Sequence, residues 1–226
     1  MAIDFYWSSG SPYCWRVQLA LEYKGLAYSS HLLEMSRQEH KAPQILKLNP
    51  RGRVPILKDG DYVCFESVAI LHYLDRKYPG APLFGSTAEE GAVILRVIEE
   101  YQAYIEPPLQ AICRTVFEGQ LDQNRDATLQ AMQQVASEAR TIEGKLATLD
   151  WVVGRQPSAA DFVIYPGIQL LIRALLRREA FELRTRFLPV EVHYPCLARW
   201  FARIEGLPGY ARTYPPHWRQ APGAAE

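Results

Sequence analysis

Residues 3–33, with the sequence IDFYWSSGSPYCWRVQLALEYKGLAYSSHLL, decide the fold of the amino-terminal part of the chain. The first five of them alternate and are rich in β-forming side chains, which predicts a strand. Pro12 suits the first turn of a helix and Gly25 suits the position after its end, so a helix is predicted over 12–24. A second strand is predicted near 27–33. Together these elements form a βαβ unit, whose strands pair in parallel with a right-handed crossover.

The next part of the sequence predicts a ββα arrangement, which follows a polar stretch at 34–42 with room for one short helix. Strands are predicted over 54–57 and 62–65, and an Asp-Gly pair between them is a strong hairpin signal. Ser67 is predicted to cap a helix that runs to about Tyr78. The amino-terminal part is therefore predicted to be an α/β domain with the order βαβ-ββα and a mixed sheet.

A second, all-helical domain is predicted beyond the segment PGAPLFGST, whose composition is typical of a short linker. Its first helix is expected to bend or break at Pro107 and Pro108, because a proline has no amide hydrogen to donate. Helical spacing covers 88–118, 125–149, 158–178 and 194–205. We therefore predict two domains, 1–80 and 88–226.

The composition argues against several classes of protein. Lys plus Arg and Asp plus Glu number 25 each, so the chain has no net charge to attract a nucleic acid. The amino terminus lacks the features of a secretion signal, and no apolar run approaches the ~20 residues of a membrane span. The four cysteines and five histidines do not have metal-binding spacing, so no metal is expected. We predict a cytoplasmic protein that binds neither nucleic acid nor membrane.

The first candidate functional residue is Ser11, which lies between the first predicted strand and the first turn of the helix. A serine followed by a proline is common at helix starts, so a structural cap is the simpler explanation. The position also suits an anion, because unpaired backbone amides and the positive end of the helix dipole meet there. A thiolate is such an anion.

Two further candidates lie at the ends of other elements. At Val54-Pro55, the alternatives are a trans proline at a sheet edge and a cis bond that frees the Val54 main chain to pair with an extended peptide. Glu66 before Ser67 offers an acceptor for an ammonium group beside helix amides that suit a carboxylate. Ser67 alone is a routine cap. If these ends and Ser11 face one peptide, they form one site.

The three candidates and their spacing resemble the cytosolic glutathione transferases. The similarity is carried by SPYCWRVQLALEYKGLAY at 11–28, by LNPRGRVPILKDGDYVCFESVAILHYLDRKYP at 48–79 and by GRQPSAADFVIYP at 154–166. The resemblance implies a thioredoxin-like first domain, an all-helical second domain that contributes the electrophile pocket, and a homodimer. It also implies that glutathione is a co-substrate and that no cofactor is needed.

The resemblance implies roles for individual residues. Ser11 matches the catalytic serine of the serine-type classes, five residues before Arg16. The positions that match the family's glutathione-binding residues are His40 (or the neighbouring Lys41), Arg53, Val54, Pro55, Glu66 and Ser67. The strand-like Val-Pro pair would hold the cysteinyl main chain of glutathione, and the Glu-Ser pair would hold its γ-glutamyl end. The histidine and the arginine would reach its glycine carboxylate.

Two short motifs refine the resemblance. Ser158 and Asp161 match the family's capping motif in the helical domain, where they are expected to stabilise a buried helix and take no part in chemistry. Ser9-Gly10-Ser11 stands where the ring-isomerase class of the family has Ser-Ser-Cys. The isomerase activity is therefore the less favoured prediction.

The activity implied by the resemblance is a detoxifying transfer, in which the glutathione thiolate attacks a small hydrophobic electrophile. Two alternatives remain. The run Ser-Pro-Tyr-Cys resembles a glutaredoxin motif whose first cysteine is replaced, so Cys14 could serve a glutathione-dependent thiol-disulfide oxidoreductase. The chain could also be a non-catalytic protein that binds glutathione or hydrophobic ligands.

Overall fold

The computed structural model describes residues 3–184 and 187–219. The chain divides into two compact units. The first extends to Phe84 and also includes Leu207–Arg219, while the second extends from Gly85 to Gly206. The first division lies four residues beyond the predicted end of the first domain at residue 80. The grouping of Leu207–Arg219 with the first unit differs from the prediction, which assigned all of 88–226 to the helical domain.

The first unit is built on a four-stranded mixed sheet with the order β2-β1-β3-β4. Its strands are β1 (Ile3–Trp7), β2 (Tyr28–Leu32), β3 (Ile56–Asp59) and β4 (Tyr62–Phe65). β1 pairs in parallel with β2 and antiparallel with β3, and β3 pairs antiparallel with β4. The predicted βαβ-ββα order and mixed sheet are confirmed.

β3 begins at Ile56, two residues later than predicted. Pro55 cannot donate a hydrogen bond to the sheet, and the peptide bond between Val54 and Pro55 is cis. The strand continues to Asp59, which pairs with Tyr62 across the turn. The predicted hairpin is therefore present with a shorter connection, and Val54 and Pro55 lie outside the strand.

Three helices complete this part of the first unit: α1 (Pro12–Tyr23), α2 (Pro43–Leu48) and α3 (Ser67–Lys77). α1 and α3 contact each other. Only two single 3₁₀ turns occupy the polar stretch, and the short helix α2 begins after them. α3 also differs from its prediction, because it starts at Ser67 itself and Glu66 occupies the cap position.

All regular structure in the described residues of the second unit is helical. Its first two helices are joined by a π-helical turn at Tyr101–Ile105. Pro107 and Pro108 occupy the first turn of the second helix, where no intrahelical donor is needed, so the irregularity falls just before them. The helices are α4 (Ala88–Glu100), α5 (Glu106–Phe117), α6 (Arg125–Leu146), α7 (Ala159–Leu175), α8 (Phe181–Arg184), α9 (Val190–His193) and α10 (Pro195–Glu205).

The start of α7 is fixed by the predicted capping pair. Asp161 is fully buried and accepts hydrogen bonds from the amide and the hydroxyl of Ser158 at 2.8 and 2.9 Å. It also accepts from the Val152 amide at 3.0 Å and from the Trp200 indole at 2.8 Å. Four donors on one buried carboxylate tie the helix start to α10 and to the preceding loop, which agrees with a structural role.

The last described segment returns to the first unit as the short helix α11 (Tyr210–Thr213) and a 3₁₀ turn at Pro216–Arg219. The Trp15 indole donates to the Thr213 hydroxyl at 2.8 Å, and Trp218 packs edge-on against Trp15. Helical spacing alone does not show which core a terminal segment joins. Aromatic contact with Trp15 explains why this one leaves the helical unit.

Among the residues that the structure describes, no single helix is long and apolar enough to cross a membrane. One pair of segments meets the length and composition criteria only when the two are taken together. The pair is α7 and Arg178–Arg184, which are bent by 95° at their junction.

Candidate functional site

Five of the predicted site residues line one pocket of about 580 Å³ in the first unit. They are Arg53, Val54, Pro55, Glu66 and Ser67. The pocket brings together the residues before β3 and the start of α3, which are adjacent because β3 and β4 form a hairpin that leads directly into that helix. These five residues, which come from separate element ends, therefore line the same pocket.

The pocket carries charges of both signs. Arg51 and Arg53 contribute two exposed guanidinium groups to its lining, and Glu66 contributes one exposed carboxylate. Both arginines are held by Asn49, which is buried. Its side-chain oxygen accepts from the Arg51 amide at 3.1 Å, and its side-chain nitrogen donates to the Arg53 carbonyl at 2.8 Å. The pocket thus offers two cationic groups on a loop that Asn49 holds and one anionic group at the start of α3.

Arg16, on α1, contacts two of the residues that line this pocket. It is fully buried, and its Nη1 donates to the Ser67 hydroxyl at 3.3 Å. Its guanidinium also lies 4.6 Å from the centre of the Tyr13 ring, and Tyr13 lines the pocket. The Ser67 hydroxyl is therefore engaged by Arg16, which corrects its predicted role as a helix cap.

Glu66 has an unusual backbone conformation. Its φ angle is +70°, in the region that residues with a side chain rarely adopt. Such a conformation costs of order 1–3 kcal/mol and persists only where the surrounding structure enforces it. The fold therefore maintains a costly backbone geometry at the one acidic residue of the pocket.

Ser11 is the residue before α1, as predicted. Its Oγ accepts a hydrogen bond from the Cys14 amide at 3.4 Å, so it acts as a helix cap. A serine hydroxyl has two lone pairs and one proton, and this bond uses only a lone pair. The proton of Ser11 can be donated to the Cys14 sulfur, which lowers the pKa of that thiol, or to a ligand at the amino-terminal end of α1. Ser11 is partly exposed and is not one of the residues that line the pocket, but Tyr13 is.

Comparisons with known proteins identify the family. A model of the N-terminal domain of glutathione S-transferases matches residues 5–82, and a model of their C-terminal domain matches residues 101–208. Glutathione S-transferase 4 of Zea mays is 34% identical over 165 residues, which are 71% of this chain and 73% of that protein. The chain belongs to the glutathione S-transferase family. The prediction that it is an enzyme of this family is thereby confirmed.

Two further similarities bear on the fold and on the activity of this glutathione S-transferase. A crystal structure of a glutathione S-transferase from the Antarctic clam Laternula elliptica superposes with a TM-score of 0.82 at 28% identity, covering 98% of this chain and 95% of the clam protein. A probable maleylacetoacetate isomerase of Vibrio cholerae is 27% identical over 223 residues, covering 93% of each chain. The family thus includes a relative that is named for isomerisation.

His40, like Ser11, is a predicted site residue that does not line the pocket. It is buried, and its Nδ1 has no hydrogen-bond partner among the described residues. The neighbouring Lys41 is exposed, and its Nζ donates to the Arg51 carbonyl at 3.1 Å. Lys41, in the turn before α2, therefore bonds to the loop that carries Arg51 and Arg53. The His40 ring is not among the groups that line the pocket.

Cys14 lies on the first turn of α1 and is fully buried. Its sulfur accepts from the Ser8 amide at 3.4 Å. Burial raises the pKa of the Cys14 thiol to about 11, although hydrogen bonds from Ser11 and Ser8 act in the opposite direction. A thiol must ionise to act as a nucleophile, so Cys14 has the environment of a structural cysteine in the described conformation.

The sequence predictions missed three pocket residues: Tyr13, Asn49 and Arg51. A signal for Arg51 was present, because Arg51-Gly52-Arg53 places two arginines on either side of one glycine. Gly52 has a φ angle of +56°, and a β-carbon there would lie 3.0 Å from the His40 carbonyl oxygen. The tight turn that this glycine permits lets both arginines line the same pocket. Tyr13 and Asn49 had no comparable sequence signal.

Proposed function

We propose that this chain binds glutathione in the pocket of the first unit and transfers it to small hydrophobic electrophiles. The observation that carries the proposal is the charge pattern of the pocket. Glutathione has one ammonium group and two carboxylates at neutral pH, and the pocket offers one carboxylate, from Glu66, and two guanidinium groups, from Arg51 and Arg53. Each charged group of glutathione therefore has a group of opposite charge in the pocket. Because the ammonium group lies at only one end of the tripeptide, this pairing favours one orientation of the ligand.

In this orientation each end of glutathione has its own partners. Glu66 accepts from the γ-glutamyl ammonium group, while Ser67 and the first amides of α3 bind the neighbouring carboxylate. Arg53 and Arg51 bind the glycine carboxylate. The main chain of Val54 pairs with the cysteinyl residue in the manner of an added strand. The cysteinyl sulfur then points toward the amino-terminal end of α1.

Ser11 activates the sulfur in this proposal. Its hydroxyl donates a hydrogen bond to the thiolate, and the unpaired amides at the start of α1 add their partial positive charge. Lowering the pKa of a thiol by about two units corresponds to about 2.7 kcal/mol of preferential thiolate binding. One charge-assisted hydrogen bond and one helix end together supply an amount of that order. The thiolate then attacks the electrophile, with no metal or cofactor in the reaction.

Two other activities are weaker candidates. A thiol-disulfide oxidoreductase would need Cys14 as the attacking thiolate, and its burial and raised pKa oppose that role. An isomerase has the support of the Vibrio cholerae relative, but Ser9-Gly10-Ser11 replaces the Ser-Ser-Cys of that class. Conjugation requires neither a reactive cysteine nor a second thiol, and it is the activity that we favour.

We further propose that the helical unit contributes the electrophile pocket, that the protein is a homodimer and that it works in the cytoplasm in detoxification. The four free cysteines, Cys14, Cys64, Cys113 and Cys196, suit a reducing compartment. The proposals of a homodimer and of an electrophile pocket in the helical unit rest on the resemblance to the family.

The experiment that tests the proposed activity is an assay of glutathione with a panel of electrophiles: aryl halides, alkyl halides, enones and a cis-dienone. Conjugation of one class supports a transferase. Isomerisation of the cis-dienone without a stable conjugate supports an isomerase. Glutathione binding without any turnover supports a binding protein, and disulfide exchange that Cys14→Ser abolishes supports an oxidoreductase.

A further inference from the structure

The segment Leu207–Arg219 contacts the loop that carries the catalytic serine. We call Ser8–Ser11 the serine loop. The Ser9 Oγ and the His217 Nδ1 lie 2.7 Å apart, which is a hydrogen-bond distance in either tautomer of the histidine. A residue near the end of the chain is thus bonded to the residue two positions before Ser11.

Gly10 shows how closely the segment approaches the serine loop. A β-carbon at Gly10 would lie 2.8 Å from the His217 Cε1 and 3.2 Å from the Trp218 Nε1, closer than side chains tolerate. The φ angle of Gly10 is +78°, a conformation that glycine adopts without penalty. The His217 imidazole and the Trp218 indole therefore fill the space beside Gly10, the residue of the serine loop with the greatest backbone freedom.

The same segment also holds the helix on the other side of Ser11. The Trp15 amide donates to the Ser11 carbonyl at 3.0 Å, which is a first hydrogen bond of α1. The Trp15 indole donates to Thr213, and the Trp15 and Trp218 rings pack edge-to-face with centroids 5.5 Å apart. Ser11 is consequently placed between two contacts with one segment, through Ser9 on the loop side and through Trp15 on the helix side.

We propose that His217 is a positioning residue for Ser11. Its hydrogen bond to Ser9 restricts the serine loop and so directs the Ser11 hydroxyl at the glutathione sulfur. Glycine at the neighbouring position would otherwise let the loop sample other conformations. Misdirection of one donor at a reacting atom lowers the rate while the rest of the ligand stays bound. This inference rests on the proposed role of Ser11 and adds the residue that fixes its orientation.

The test compares His217→Ala, Ser9→Ala and the double variant in the full chain, with glutathione alone for the pKa and affinity titrations and with glutathione plus one electrophile that the wild type conjugates for kcat. Loss of one hydrogen bond is expected to raise the pKa of the bound thiol by about 0.7 unit and to lower kcat about fivefold at neutral pH. We expect both single variants and the double variant to show the same change, because each removes the same bond. Calorimetric affinity for glutathione should change less than twofold.

Two further variants separate positioning from folding. His217→Asn can place a side-chain amide atom near the position of Nδ1, so it should restore most of the lost kcat. His193→Ala removes an exposed histidine of the second unit and should match the wild type. Thermal unfolding of all variants shows whether a change in kcat follows stability.

The inference is overturned if His217→Ala leaves both kcat and the pKa of the bound thiol unchanged, even where its melting temperature falls. It is also overturned if the effects of Ser9→Ala and His217→Ala simply add. A wild-type protein that binds glutathione without lowering its thiol pKa would instead contradict the proposed role of Ser11. The two failures are therefore distinguishable in the same titrations.

Discussion

The guanidinium of Arg16 donates to the hydroxyl of Ser67 at 3.3 Å, and this bond joins the helix that begins after Ser11 to the helix that begins at the pocket of the first unit. Both residues are buried. A buried hydroxyl that receives a charged donor has a fixed direction, so the bond orients the Ser67 lone pairs and proton. Arg16 therefore contributes to the pocket without lining it.

Replacing Arg16 by methionine should weaken glutathione binding. Hydrogen bonds to charged groups contribute about 1.5–3 kcal/mol, so a loss of roughly tenfold or more in affinity is expected by calorimetry. Ser67→Ala should cause a similar loss, and the double variant should bind no more weakly than Arg16→Met alone. Additive losses would mean that the two residues act separately.

Glu66 allows strain and ligand binding to be separated. Glu66→Ala removes the carboxylate and keeps a side chain at a φ angle of +70°, whereas Glu66→Gly removes both the carboxylate and the strain. The glycine variant should exceed the alanine variant in stability by about 1 kcal/mol, or ~2–4 °C in melting temperature. Both should lose glutathione affinity equally. Wild-type affinity in either variant would remove Glu66 from the site.

Cys14 should resist alkylation in the folded protein. Its pKa is raised to about 11 by burial, so at pH 8 only about one thiol in a thousand is ionised, and solvent does not reach it. Raising the pH toward 11 should increase the reaction, because the reactive thiolate forms as the pH approaches the pKa. Mass spectrometry after iodoacetamide treatment, with Cys14 in urea as the control, measures this. Rapid labelling of native Cys14 at pH 8 would show a reactive thiol and would support the oxidoreductase hypothesis.

The protein should sediment as a dimer of twice 25.8 kDa. Val93, Leu95 and Tyr104 are exposed apolar or aromatic residues on α4 and the π-helical turn, and covering them would favour association. Leu95→Glu should shift the equilibrium toward monomer. Val192→Glu, at an exposed position on α9, is the matched control and should leave it unchanged. A wild-type monomer at micromolar concentration would contradict the prediction.

Local sequence signals predicted the fold where short-range geometry decides it. The proline and glycine that bound α1, the hairpin before α3 and the Ser158-Asp161 pair all depend on residues within a few positions of one another. The same signals located Val54, Pro55, Glu66 and Ser67, because these lie at element ends that a hairpin brings together. Arg53 was assigned through the resemblance to the family.

Long-range contacts decided what the sequence did not predict. Ser67 has the sequence pattern of a helix cap, but its hydroxyl accepts a hydrogen bond from Arg16, which lies 51 positions away in the chain. His217 has no local motif, and only the docking of the terminal segment on Trp15 brings it to the serine loop. Asn49 resembles an ordinary turn residue until its side chain is seen to hold both pocket arginines.

In the mechanism proposed above, Ser11 stabilises the glutathione thiolate in addition to capping α1. Its Oγ accepts from the Cys14 amide at 3.4 Å, so Ser11→Ala should cost about 1 kcal/mol of stability for the lost cap under either hypothesis. Stability alone therefore cannot distinguish a cap from a catalytic residue.

The most direct measurement is the ultraviolet absorbance of the thiolate in the glutathione complex, titrated against pH in the wild type and in Ser11→Ala. We expect a lowered thiol pKa in the wild type and a rise toward the free value near 8.5 in the variant, with little change in glutathione affinity. Superimposable titration curves would contradict it and would leave Ser11 a helix cap only.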